Sequence, residues 1–333
     1  MVFNNSDWLA QVQEDIVDPD REIVDPHHHL WPQADMHYNV PEFLADLTSG
    51  HKIVHTVFME CGAAYREDGP DHLKPVGETE FVAAAAEDMK AKGGPHIAGI
   101  VGHADLRGPN LEEVLDAHME AAKGLFRGIR HAGSRDTSGA TLRIPGRAPE
   151  RLYADDDFRR GVQLLGEHGL SYDTWHYHHQ NLDFIDLAQA VPECTMILDH
   201  FGTPLGVGVY RYCRDEIYLE WKQEMAELAK LPNVYVKLGG LAMPDNGFGW
   251  DKASRPPDSD EFIAKQKKYY LHMIDCFGPE RCMFESNFPV DRLSISYHVL
   301  WNGFKKMVED FSDAEKHALF YGTAESVYRL EDS

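Results

Sequence analysis

Glu22 to Trp31 reads E-I-V-D-P-H-H-H-L-W, and it decides how the rest of the chain is organised. Ile23 and Val24 favour a β-strand and lead into Asp25 and three histidines. Side chains alternate along a strand, so Asp25, His27 and His29 are expected on one side and His28 on the other. Two imidazoles on one face can grip a metal ion or move a substrate's protons. The stretch does not read as a tag, because it lies inside an apolar pattern and away from a terminus.

Outward from this run the pattern repeats. The first run is Glu22–His28, and seven more short, β-favouring runs follow: Ile53–Glu60, Ile97–His103, Phe126–His131, Leu170–His176, Thr195–His200, Val234–Leu238 and Cys282–Asn287. Stretches with helical spacing separate them, and no tight hairpin joins any two, so parallel strands with helical crossovers are expected. Eight such units predict an α/β chain folded as a (β/α)8 TIM barrel. An open doubly wound sheet competes, but no G-x-G-x-x-G follows the first run. The reading gives an N-terminal arm over residues 1–21 and one barrel domain over 22–333. Long loops after strands four (His131–Leu152) and seven (Ala242–Ser259) are expected to cover a site.

Composition narrows the function. The chain has 333 residues, 43% of them hydrophobic, and a net charge of −23, which suits a soluble globular protein and repels nucleic acid and anionic membranes. A small molecule is therefore the expected partner, with self-association through the outer helices left open. Five scattered cysteines without a C-x-x-C, and no basic-then-apolar leader, point to a reducing, cytoplasmic setting.

Nearly every run ends in a group that can ligate, transfer a proton or bind an anion. These are His27 and His29, Glu60, His103, Arg130 and His131, His176, His178 and His179, Asp199 and His200, Lys237, and Glu285 and Asn287. A barrel gathers all of these ends on one face, where sites of this fold lie.

The stretches V-D-P-H-H-H-L-W, F-R-G-I-R-H, L-S-Y-D-T-W-H-Y-H-H-Q, I-L-D-H-F-G, N-V-Y-V-K-L-G-G-L and R-C-M-F-E-S-N-F-P-V-D carry a family resemblance over residues 22–291. The chain resembles the amidohydrolase superfamily, in the TIM-barrel branch that includes 2-pyrone-4,6-dicarboxylate lactonase and sugar-lactone hydrolases. The resemblance implies that His27 and His29 are the H-x-H after strand one and His200 the strand-six histidine. It places His178 at the strand-five position, with His176 and His179 competing. It gives Arg130 the task of holding a substrate carboxylate. Arg127, His131, Trp175 and Tyr177 are expected to help bind substrate.

The chain departs from the family at strand eight, where G-S-D-W-P is usual and E-S-N-F-P stands here. Asn287 cannot take up a proton at neutral pH, so it cannot be a general base. Glu285, two residues earlier, is expected on the same strand face and is assigned the missing acid/base or ligand role. Glu60 and Asp291 are the alternatives, and an ion pair with Lys237 or Arg130 is the competing fate of Glu285. Two expectations follow for cofactors. Either none is required, as the lactonase branch implies, or one divalent ion, zinc by ligand type, sits on His27, His29 and His200. The expected activity is hydrolysis of a lactone or related cyclic ester of a small, carboxylated compound. A metal-dependent decarboxylase of an aromatic acid and a non-catalytic binding barrel are the alternatives.

Overall fold

This computed structural model describes residues 3–330, so residues 1–2 and 331–333 of the two expected units lie outside the described residues. The described residues form eight parallel strands, paired in chain order: β1 (Glu22–His28), β2 (Lys52–Met59), β3 (His96–Gly102), β4 (Phe126–Arg130), β5 (Ser171–Thr174), β6 (Met196–Leu198), β7 (Val234–Leu238) and β8 (Cys282–Phe284). The ring closes just past β8. There the His29 amide donates to the Phe288 carbonyl at 2.8 Å and the Asn287 amide to the His27 carbonyl at 3.0 Å. Helices lie between successive strands, as a single (β/α)8 barrel requires.

The strands are buried on both faces, which is why they read as near-continuous apolar runs. Ile23, Phe58, Ile100, Ile129 and Leu198 pack outward under the helices. Val24, Val57, Met59, Ala98, Val101, Ile197 and Met283 form a second cluster. Ala324, Val327, Tyr328 and Leu330, from the C-terminal helix Thr323–Tyr328 and the residues just after it, pack into that cluster. They close the floor of the barrel.

Local signals set the helix starts. Asp258 and Glu261 form a capping box at the head of Ser259–Phe277, and Ser312 and Glu315 do the same for Asp313–His317. The N-terminal residues run across the outside of the barrel. Asn5 accepts from Arg292 at 2.6 Å, and Glu14 accepts from Ser259 and Asn302. Among the described residues no helix is long and apolar enough to cross a membrane.

Two expectations about strand geometry change. A bulge between Asp25 and His28 breaks the alternation in β1. Asp25 therefore does not join the His27 side: its Oδ1 accepts from the Ser286 amide at 2.9 Å and its Oδ2 from the Tyr297 hydroxyl at 2.9 Å. β8 ends at Phe284, so Glu285 and Asn287 follow the strand and do not lie along its pleat. Asn287 has φ 55°, a left-handed conformation that Asn tolerates better than most residues.

Candidate active site

The site lies at the C-terminal mouth of the barrel and is organised by Glu285. This carboxylate is fully buried, with Oε2 at 2.7 Å from His27 Nδ1 and Oε1 at 2.7 Å from His200 Nδ1. Burial works to raise its pKa, but the His200 and His27 rings beside it hold it down at about 2. An ionised carboxylate only accepts hydrogen bonds, so the facing His200 Nδ1 carries the proton, while His27 Nδ1 lies between that carboxylate and the Lys237 ammonium, a pure donor 3.4 Å away. His29 Nδ1 lies 2.8 Å from the Met59 carbonyl oxygen, which also only accepts, so it too is an N–H. In their neutral forms the His200 and His29 rings thus present Nε2 as a lone pair.

Glycines make the room for this arrangement. A Cβ on Gly239 would lie 2.4 Å from Glu285 Cγ, and one on Gly240, at φ +77°, would lie 2.2 Å from His200 Nδ1. The G-G that follows β7 is therefore part of the site's construction, and the sequence showed it in plain view beside Lys237.

The electrostatics separate the two histidines on Glu285. Burial alone would lower both. Glu285 more than offsets burial at His200, whose pKa is raised above the ordinary value. His27 stays well below it, because burial is reinforced by Lys237, whose Nζ lies 3.4 Å from His27 Nδ1. His29 is lowered by burial and by the Arg130 charge. Asp199 joins the two halves of the site: its Oδ1 is 3.2 Å from Lys237 Nζ and its Oδ2 accepts from Arg130 Nη1 at 3.2 Å.

A cavity of about 290 Å³ opens above this group. His29, Glu60, Arg130, His200 and Asn287 are its polar lining, and Trp31, Ile144, Trp175, Met243 and Val290 supply its apolar wall. Arg130 is already engaged: Nε donates to Glu60 Oε1 at 2.8 Å, Nη2 to the Glu60 carbonyl, and Nη1 to Asp199. The Asn287 amide donates to Asp291 Oδ1 at 2.9 Å, and burial pushes the Asp291 carboxyl up to about 7.

The residues singled out from the sequence divide accordingly. His27, His29, His200, Glu285, Asn287, Arg130 and Trp175 come together at the mouth. Others do not reach the cavity. Arg127 sits at the start of β4 and donates to the carbonyls of Gly124 and Phe126, about 10 Å of strand rise below Arg130. His131 accepts from the Leu106 amide and lies edge-on to Phe158. His178 accepts from the Leu205 amide at 3.3 Å and packs on Tyr210, while His176 bonds Tyr153 and Asn181. Tyr177 holds the loop after β4, accepting from the Gly146 amide and donating to the Ile144 carbonyl. Asp173, Gly239, Gly240 and Tyr328 belong to the site's support but were not singled out. A carboxylate in the middle of a short strand, between Tyr172 and Thr174, was the available signal.

The donor set fits a divalent ion of borderline softness. Ligating atoms of His27, Asp199 and His200 lie within 4.8 Å of one another. His29 Nε2, a lone pair in the neutral ring, faces His27 Nε2 at 3.2 Å and adds a further nitrogen donor beside them. Asp199 thus adds a carboxylate to the three histidines expected from the sequence.

Three comparisons bear on this site. Residues 24–330 match the family model described as Amidohydrolase. The chain is 34% identical over 330 residues, 92% of this chain and 98% of the other, to an uncharacterized protein, y4mH, of Sinorhizobium fredii. It is 29% identical over 322 residues, 93% of this chain and 96% of the other, to an L-fucono-1,5-lactonase of Burkholderia multivorans. A crystal structure of an amidohydrolase from Burkholderia multivorans with bound zinc superposes with a TM-score of 0.72 at 27% identity, covering 93% of this chain and 100% of that one.

Proposed function

The chain belongs to the amidohydrolase family, and on that premise we propose that it is a hydrolase that opens the ring of a small, neutral, hydroxylated lactone. The observation that carries the reading is the Glu285–His200 pair at the edge of the cavity, with Nδ1 to Oε1 at 2.7 Å. Glu285 holds the Nδ1 proton, so the neutral His200 ring offers Nε2 to a water. That water's oxygen attacks the lactone carbonyl carbon as its proton passes to Nε2. The ring C–O bond then breaks, and the same proton goes to the departing alkoxide. Arg130 on the cavity wall has five N–H groups, and the one that Glu60, Asp199 and His27 leave over stabilises the oxyanion that forms in between. The relative named as an L-fucono-1,5-lactonase supports this reaction class.

Charge and size favour a neutral sugar lactone over a carboxylated one. Among the described residues lining the cavity, Arg130 is the one permanently charged cation, and Glu60 and Asp199 already neutralise it. A substrate carboxylate would have to displace one of them. At about 290 Å³ the cavity is at the small end of the ~300–1,000 Å³ of ligand pockets, enough for one ring. Trp31 and Trp175 give that ring apolar faces to rest on. Proton release from a panel of neutral aldonolactones and of lactones bearing a carboxylate tests the assignment. Turnover confined to the carboxylated set would refute it.

A second reading rests on the convergence of His27, Asp199 and His200. These residues, with His29 beside them, would hold a divalent ion, which would acidify water and polarise the carbonyl. Glu285 would then serve to orient two of the ligands. Metal analysis of protein purified without a His tag, with turnover measured before and after chelation, separates the readings. Full turnover by metal-free protein favours the Glu285–His200 pair, and its abolition favours the ion.

A further inference from the structure

The buried ammonium of Lys237 lies directly beneath the site and is held from the opposite end of the barrel. Its Nζ is 3.0 Å from Asp173 Oδ2, 3.2 Å from Asp199 Oδ1 and 3.4 Å from His27 Nδ1. Lys237, Asp173 and Asp199 are all completely buried. Asp173 is fixed in turn by two hydroxyls: Ser171 donates to Oδ1 at 2.9 Å, and Tyr328 donates to Oδ2. Tyr328 belongs to the C-terminal helix Thr323–Tyr328 that closes the barrel floor, and Lys237 Nζ lies 5.3 Å from the centre of its ring.

We infer that Tyr328 is a positioning residue for the active site, acting through Asp173 and Lys237 on His27 and Asp199. The physical argument is one of alternatives. Lys237 has four rotatable side-chain bonds and a charge that must stay paired when buried. Asp173 and Asp199 are its anionic partners, and the one Asp173 oxygen that reaches it is also the oxygen that Tyr328 grips. With the hydroxyl in place, Asp173 has one orientation that satisfies both oxygens, and Lys237 is directed up at Asp199 and His27. Without it, Ser171 alone holds the Asp173 carboxylate, at the oxygen that does not reach Lys237, and Oδ2 can swing and carry the ammonium away from Asp199 and His27. A phenol that merely filled the floor would not need to reach a carboxylate inside the barrel, because the neighbouring plug residues Ala324, Val327 and Leu330 fill it with apolar atoms alone.

Tyr328→Phe tests this by removing one oxygen atom from the chain of contacts. The kinetic arm rests on the lactone-opening activity proposed above. There kcat is expected to fall about tenfold with KM within twofold of wild type. Val327→Ala, which loosens the same plug without touching Asp173, is the control and is expected to keep its kcat while melting earlier. The second arm needs no substrate: ¹⁵N–¹H spectra of histidine-labelled protein, with His27 assigned from its disappearance in His27→Gln. Tyr328→Phe should move the His27 ring nitrogens and leave those of His178 in place. A Tyr328→Phe kcat within twofold of wild type, an equal kcat loss in Val327→Ala, or unmoved His27 resonances would each overturn the inference. If the wild-type protein opens no lactone, the reaction class fails and the His27 spectra alone decide the role of Tyr328.

Discussion

Glu285 accepts the Nδ1 proton of His200 at 2.7 Å, and this bond supplies the carboxylate–histidine pairing that Asn287 cannot. The sequence placed the missing carboxylate at position 285 on the assumption of a continuing strand. Glu285 does lie at the mouth of the barrel, but it gets there by another route. β8 stops at Phe284, and the backbone turns so that Glu285 points under the two histidines while Asn287, at φ 55°, lines the cavity. Glu285 pairs with His27 and His200, not with Lys237 or Arg130, whose charges are taken by Asp173, Asp199 and Glu60.

Asn287 is matched to Asp291, and restoring an acid there should harm the protein. The Asn287 amide donates to Asp291 Oδ1, and burial already raises that carboxyl to about 7. Asn287→Asp would set two buried acids against each other. It should destabilise the fold by about 1–3 kcal/mol at pH 8. The loss should shrink at pH 5, where Asp291 carries its own proton. Urea unfolding at the two pH values checks this, and equal loss at both would show that the pairing of acids is not the cause.

Gly240→Ala should damage catalysis beyond its effect on stability. The new Cβ would sit 2.2 Å from His200 Nδ1, at a backbone φ of +77°. Gly249 has φ +80° and nothing within 4 Å of a Cβ, so Gly249→Ala carries the backbone cost alone, about 1 kcal/mol. Both variants should melt earlier, and only Gly240→Ala should lose tenfold or more in kcat. Similar kcat values for the two would mean that His200 tolerates displacement.

Stability should peak near pH 6.5. Burial pushes His51, His118, His131, His176 and His178 down to about 4 and His28 to about 3. An unfolded histidine titrates at about 6.5, so between about 4 and 6.5 the unfolded chain binds more protons and stability rises with pH. Burial raises Asp25 to about 6, Asp291 to about 7 and Glu78 to about 8. For these the folded state holds the extra protons, so their contribution falls as pH climbs from about 4 through those values. The six histidines outweigh the acids below 6.5; above it Asp291 and Glu78 lower stability, and Lys305, which burial holds down at about 8, opposes them only beyond that pH. Calorimetric melting from pH 4.5 to 8 should show the maximum, and a Tm still rising between pH 7 and 8 would contradict the balance.

Much of this was legible in the chain. β1 and β7 were read to the residue, because β-branched runs bounded by polar groups leave little choice of limits. The other strands were found but extended by up to three residues into the polar ends, which belong to loops. Residues next to a strand end, such as His27, His200 and Arg130, were placed correctly because the barrel itself carries them to the mouth. Residues whose aim depends on a loop were not. His131 and Tyr177 turn to backbone groups that no spacing rule reveals, and Arg127 faces the wrong end of its strand. The β1 bulge that turns Asp25 away, and the reach of Tyr328 through the barrel floor, arise from tertiary packing alone.

Ring opening of neutral 1,5-aldonolactones by the wild-type protein and by Glu285→Gln, followed as proton release, tests the central claim most directly. Glutamine keeps the size of the side chain but loses the ionised acceptor that fixes the tautomer of His200. Wild-type turnover with a loss of about a hundredfold or more in kcat for Glu285→Gln is the predicted result. Turnover by Glu285→Gln at the wild-type rate would contradict the account.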